Sequence, residues 1–466
     1  MKYISTRGTA PILGFSDVVL AGLAEDGGLY VPQTFQQFTA AEWRSLTALP
    51  YPQLAARIMQ PFVGDEIPLA TLERLAVEAY QPFRHPAIAP LKQLAHNHWL
   101  LELFHGQTLA FKDYALQFLG KLFDYLLQQR GEKITVVGAT SGDTGSAAIE
   151  ACRDKSTIEI FILHPHGRVS DVQRRQMTTV LSPNVHNIAL KGTFDDCQDI
   201  VKALFNDLPF RKQHNLSAIN SINWARILAQ VVYYASTALA LGAPDRPVSF
   251  AVPTGNFGNV YAAFVARKMG LPIEHLAIGT NKNDILTRFF ASGSMAVTGV
   301  SPTLAPSMDI QVSSNFERLL FDAYNGDSAK LSTTMQEFRA TGQYTVPPAL
   351  HNSLTALFSA YRFDDADITR IISTTYQTTG ELIDPHTAIG VAAAQHALAD
   401  GRTTAPIVSL ACAHPAKFPD AVQAATGVFP ELPLWLSDLH SREERMVVLE
   451  NSVEAIRGFI AAKDII

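Results

Sequence analysis

Ile134-Thr135-Val136-Val137-Gly138-Ala139-Thr140-Ser141-Gly142-Asp143-Thr144-Gly145 is the stretch that decides the fold class of this chain. Its first four residues suit a buried strand, a glycine- and hydroxyl-rich turn follows, and residues 146–152 read as a helix. Strand, turn and helix in immediate succession form one βα unit of a parallel sheet covered by helices, so the class is α/β. The pattern extends on both sides. Upstream, Leu116, Leu119, Leu122, Phe123 and Leu126 recur at three- and four-residue spacings and predict one apolar helix face, ended by Gly131. Downstream, 158–163 and 185–190 read as strands, with amphipathic stretches at 169–180 and 194–205. A second series starts near Pro247: a strand at 248–252, the turn 254–259, a helix at 260–268 and a strand at 273–278. Ile407–Ala411 is a further buried-type strand.

The chain has 466 residues, more than one ordinary core serves, and two or three packed units are expected. The first 80 or so residues, with a Leu/Ala-rich helical stretch, read as an N-terminal unit without a phosphate loop. At 47% hydrophobic and 17% charged the composition is globular. Against 43 Asp+Glu stand 37 Lys+Arg, a net charge of −6 with no basic run, which argues against nucleic acid and for a small-molecule partner. Cys152, Cys197 and Cys412 are too far apart for a zinc knuckle or a disulfide framework, so a reducing compartment is expected. The N-terminus shows no apolar signal region, and no stretch approaches the roughly 20 apolar residues of a membrane span. The expectation is a cytoplasmic protein with no membrane partner.

Five places concentrate functional side chains at predicted strand ends, where open α/β sheets hold ligands. Lys112 follows Leu109, Ala110 and Phe111, and burial there would leave a neutral amine able to form an imine, although a lone lysine is more often solvated. The turn 139–145 offers hydroxyls and N–H groups at a helix N-terminus, suited to a carboxylate or phosphate, and equally to a capped turn. Thr254-Gly255-Asn256-Phe257-Gly258-Asn259 makes a second such nest and is neither a Walker A loop nor a dinucleotide fingerprint. Two anion loops suggest a phosphorylated cofactor together with a charged substrate. Within 220–226, Arg226 could clamp a phosphate with its planar fork, and 412–418 forms a tight His414-Pro415 loop. His96 and His98 lack a carboxylate cluster, so no metal is expected.

Taken together, ELFHGQTLAFKD (102–113), GATSGDTG (138–145), NSINWAR (220–226), PTGNFGN (253–259), DPHTA (384–388) and AHPAKF (413–418) resemble the threonine synthase family. STRG at 5–8, AEDGGLYVP at 24–32 and SMDI at 307–310 extend the resemblance over almost the whole chain, in order. These are pyridoxal 5'-phosphate (PLP) enzymes of fold type II, the tryptophan-synthase-β type. The resemblance implies two open, mainly parallel sheets flanked by helices, with 1–85 an N-terminal unit, 86–115 and 220–466 a large α/β domain, and 116–219 a small one. It implies that Lys112 carries PLP and shuttles protons, that Phe111 packs beside it, and that Gly255, Asn256, Phe257, Gly258 and Asn259 hold the cofactor phosphate. Asp143 would lie by the phenolic oxygen and Cys412 by the pyridine nitrogen. Thr140, Ser141 and Thr144 would receive the substrate carboxylate, and Asn220 and Arg226 the leaving phosphate.

The implied reaction turns O-phospho-L-homoserine and water into L-threonine and phosphate, in a monomer or homodimer. Two residues depart from the family pattern: Gln107 replaces a usual proline, and Cys412 a usual threonine. Alternatives are a related lyase giving 2-oxobutanoate, a dehydratase of free threonine, and a non-catalytic paralogue. The dehydratase would leave Arg226 and Asn220 without a phosphate, and the paralogue sits poorly with an intact Lys112.

Overall fold

In the computed structural model, residues 1–463 are described, and they form two main sheets. The larger has six strands in the order Phe358–Arg362, Ile273–Thr280, Val248–Pro253, Ile407–Ala411, His98–Glu102, Leu91–Ala95. All pairs are parallel except the last, where Leu91 faces Leu101. The smaller is wholly parallel, in the order Val447–Glu450, Val185–Lys191, Ile158–Pro165, Ile134–Ala139, Leu216–Ser217. Ile134–Ala139 runs in register with Ile158–Leu163, and the apolar strands are buried because helices cover both faces. Both expected helices form, but each starts two or three residues earlier than expected, inside its glycine-rich turn: Asp143–Cys152 rather than 146–152, and Gly258–Lys268 rather than 260–268.

Helix Lys112–Arg130 buries Leu116, Leu119, Leu122, Phe123 and Leu126 and stops at Gly131, whose φ of +66° a side chain would strain. Each such side chain contributes about 1.5–3 kcal/mol on burial. Gly120 allows the close approach of helix Asp143–Cys152, since a Cβ there would lie 2.2 Å from the Ala151 carbonyl oxygen. Replacing Gly120 would push these two helices apart. The first residue of this long helix is Lys112 itself, and its entry is pinned: Phe111 N–H donates to the Cys412 carbonyl at 2.8 Å, and Ala110 bridges Ala413.

The N-terminal residues share the main core. Tyr3, Phe35 and Phe62 pack on Trp224, with ring centroids 6.0, 6.3 and 5.9 Å away. The buried Arg318 donates to the Tyr30 and Ile222 carbonyls, which ties this unit to the start of helix Trp224–Ala240. One grouping differs from expectation. Residues 220–466 were expected to stay with the large sheet, yet Val447–Glu450 pairs with Val185–Lys191 in the small one, and Ile456 and Ile460 of the helix Val453–Lys463 pack beneath it. The small sheet has an open edge there, and the returning strand satisfies its backbone groups.

Candidate active site

Lys112 Nζ lies at the meeting of the two sheets' C-terminal edges, with its side chain 12% exposed. The ammonium is 3.5 Å from Asp143 Oδ2 and donates to Ser307 Oγ at 3.5 Å, while the Phe111 ring centroid is 5.8 Å away. Burial pushes the Lys112 amine below its ordinary pKa; Asp143 opposes this, and Lys417 and Arg226 add to it. A lysine so placed can release a proton and act as a nucleophile or base.

Asp143 occupies the first turn of its helix, buried, with both oxygens engaged. Lys417 Nζ lies 2.9 Å from Oδ1, and Gln173 Nε2 donates to the same oxygen at 2.8 Å. Ser307 Oγ donates to Oδ2 at 3.2 Å. Burial alone would raise this carboxyl, but Lys417, then Lys112 and His386, hold it far below the usual carboxylate range. Behind Ser307, the Ser307 N–H donates to His386 Nε2 at 3.3 Å, and His386 Nδ1 sits 2.8 Å from Asp384 Oδ2. Asp384 also caps helix Pro385–Ala399 by accepting from the N–H groups of His386 and Thr387.

The turn 254–259 shows the features of an anion nest. Its carbonyls face away: Gly255 O accepts from Ser313 Oγ at 2.7 Å, and Asn256 O accepts from Asn315 N–H at 3.1 Å. The first N–H groups of helix Gly258–Lys268 have no acceptors within the helix. Phe257 adopts φ +62°, an uncommon conformation that turns the chain into this helix. Asn259 Oδ1 accepts from the Tyr234 hydroxyl at 2.7 Å and from that of Tyr233, leaving Nδ2 buried and unpartnered. At Gly255 a Cβ would come within 3.3 Å of Met308 Cα, so the turn packs closely against 307–308. Asn315 Nδ2 donates to the carbonyls of both Ser221 and Asn256, which places 220–226 beside the nest.

Arg226 is 5% exposed, yet its Nε and Nη1 find no partner. Burial lowers its pKa to about 10, still leaving it charged. An orphaned buried guanidinium is costly unless an anion completes it. Asn220 Oδ1 accepts from Ile222 N–H at 3.2 Å, which leaves its amide donors for a ligand. Thr140 Oγ1 accepts from the N–H groups of Gly142 and Gly145 at 3.0 and 2.9 Å, keeping its own proton to donate. On the same turn, Ser141 is exposed and Thr144 half-buried. Cys412 is buried and free; burial first, then Asp384, pushes its thiol well above its ordinary pKa, while Lys112 acts against the shift. Among the described residues no cluster could hold a metal ion, and no helix is long and apolar enough to cross a membrane.

Among the predicted residues, Lys112 and Asp143 meet directly, Lys112 feels the charge of Arg226 and acts on Cys412, and Gly255 packs against 307–308 beside Ser307. Four others were not assigned to the site from sequence: Ser307, Asp384, His386 and Lys417. The motifs SMDI, DPHTA and AHPAKF contain all four, so a signal existed without a role attached. The donor set fits a phosphorylated carbonyl cofactor: an amine of lowered pKa, a charge-free N–H nest for the phosphate, and buried donors awaiting acceptors.

Fold and site together define a fold-type II PLP-dependent enzyme. Residues 83–345 match the family model of pyridoxal-phosphate dependent enzymes, 2–80 that of the threonine synthase N terminus, and 387–460 that of the threonine synthase C-terminal region. The chain is 52% identical over 462 residues to the threonine synthase of Pseudomonas aeruginosa, covering 99% of this chain and 98% of that one. It is 42% identical over 501 residues to the threonine synthase of Saccharomyces cerevisiae, covering 98% and 97%. The solved PLP-bound threonine synthase from Brucella melitensis superposes with a TM-score of 0.98 at 53% identity, over 100% of both chains. This chain belongs to the threonine synthase family.

Proposed function

We propose that the chain converts O-phospho-L-homoserine and water to L-threonine and phosphate, with PLP carried on Lys112. When bound, PLP supplies a sink for the negative charge that develops at the substrate Cα. Lys112, beside Ser307 and Asp143, moves the protons that the reaction requires on neighbouring carbons. The nest formed by Gly255, Asn256, Phe257, Gly258 and Asn259 holds the cofactor phosphate. Phe111 would pack beside Lys112, Cys412 would face the pyridine nitrogen, and Asp143 would lie by the phenolic oxygen. The Thr140 hydroxyl, with Ser141 and Thr144, receives the substrate carboxylate. Arg226 and Asn220 hold the phosphate that leaves Cγ before water adds at Cβ.

Arg226 carries this reading. Its Nε and Nη1 are buried without partners, and its charge is felt at Lys112, so a second anion belongs beside the reacting centre. Free threonine or serine would leave that guanidinium unsatisfied. The net charge of −6 supports a small-molecule rather than a nucleic-acid partner, and the working unit is a monomer or homodimer. The test is a product assay on the purified holoenzyme with O-phospho-L-homoserine. Threonine and phosphate in equal amounts are expected; 2-oxobutanoate as the main product would make the protein the related lyase.

A further inference from the structure

Lys417 has no part in the chemistry above, and its surroundings are unusual for a lysine. It is 0% exposed. Lysine is almost never fully buried unless it is paired. Here the three N–H donors of the ammonium meet three acceptors: Asp143 Oδ1 at 2.9 Å, the Thr108 carbonyl at 2.6 Å and Gln176 Oε1 at 2.9 Å. No donor remains for a substrate. The acceptors come from three segments: the loop leading into Lys112, the first turn of helix Asp143–Cys152, and helix Asp171–Thr178. Lys417 itself follows Ile407–Ala411 of the six-stranded sheet, so its ammonium spans the gap between the sheets.

We propose that Lys417 is a positioning residue: it clamps ionised Asp143 through Oδ1 so that Oδ2 faces Lys112 and Ser307, and its fixed charge keeps Asp143 from belonging to Lys112 alone. The inference rests on Lys112 being the lysine that carries the cofactor. Lys112 feels Asp143, Lys417 and Arg226; Asp143 feels Lys417, Lys112 and His386; Asp113 and His414 also feel Lys417. Without Lys417, Asp143 would turn its full charge on Lys112 and hold a proton there more firmly.

The experiment compares wild-type holoenzyme with Lys417→Gln, Lys417→Arg and the double variant Asp143→Asn/Lys417→Gln. Two readouts are followed: the pH midpoint of the bound cofactor's visible absorption, and the acid limb of kcat/KM. In Lys417→Gln both are expected to move up by about one pH unit. The double variant removes both opposing charges and should return near the wild-type midpoint, and Lys417→Arg, which keeps the charge, should hold it even where kcat falls. A uniform loss of activity in Lys417→Gln with an unmoved midpoint would reduce Lys417 to a packing role and overturn the proposal. Should Lys417→Gln fail to fold, the other two variants decide, and a displaced midpoint in either one overturns it. Borohydride trapping and peptide mapping of the wild type, done first, report separately on Lys112: a cofactor found on another lysine defeats that reading whatever Lys417 does.

Discussion

The turns 139–145 and 254–259 are built alike and handle charge in opposite ways. Each follows a parallel strand and opens a helix, so each presents N–H groups at a positive helix end. The first carries its own carboxylate, Asp143, buried and matched by Lys417 and Lys112. The second has no ionisable side chain, and its Asn259 offers an unpartnered donor. A helix end that contains its own anion is already neutralised and can present hydroxyls such as Thr140 to a ligand. One without an anion remains open to a phosphate from outside. On the proposed reading, the same local fold would serve proton chemistry at one turn and anchoring at the other.

Removing Lys112 is the hardest test of that division. Lys112→Ala is expected to abolish turnover while PLP still binds noncovalently through 254–259, checked by kinetics alongside equilibrium dialysis of the cofactor. Retained activity would place the chemistry on another lysine. Making the two turns alike is the next most severe change. Asn259→Asp keeps the acceptor for Tyr233 and Tyr234 but replaces the free donor by a negative charge, and should weaken PLP binding by more than about 3 kcal/mol. Unchanged affinity in a spectroscopic titration would move the phosphate elsewhere. Arg226→Ala should lower kcat/KM by about 1.5–3 kcal/mol, the size of a hydrogen bond to a charged group, with little effect on PLP affinity. The reverse pattern would assign Arg226 to the cofactor phosphate. The smallest effect is expected from Cys412→Thr, which exchanges a weak thiol donor for a hydroxyl. Its kcat/KM should stay within about 1 kcal/mol of wild type while the bound cofactor's absorption shifts; an identical spectrum would place Cys412 away from the ring.

Much of this architecture was legible because it is local. Residues 134–163 and 248–278 state strand, turn and helix in consecutive residues, and Ile407–Ala411 emerges with the bounds read from its apolar run. The turns that carry the proposed site residues were legible for the same reason. What escaped depends on distant contacts. Lys417 lies in a short loop like many solvated lysines, and only the arrival of Thr108, Asp143 and Gln176 makes it a buried clamp. Ser307 and His386, separated by 79 positions, meet through one N–H group that no periodicity encodes. Val447–Glu450 alternates half-buried and exposed residues over four positions, too brief a pattern to tell which sheet it joins.

That late strand also bears on how the protein is made. Lys191 and Glu450, joined across the edge of the small sheet, lie 259 positions apart in the chain. While the chain emerges from the ribosome, Val185–Lys191 is complete long before its outer neighbour exists, so its N–H and C=O groups along that side have no native partner until then. Synthesis therefore passes through a period in which the small sheet exposes a sticky edge.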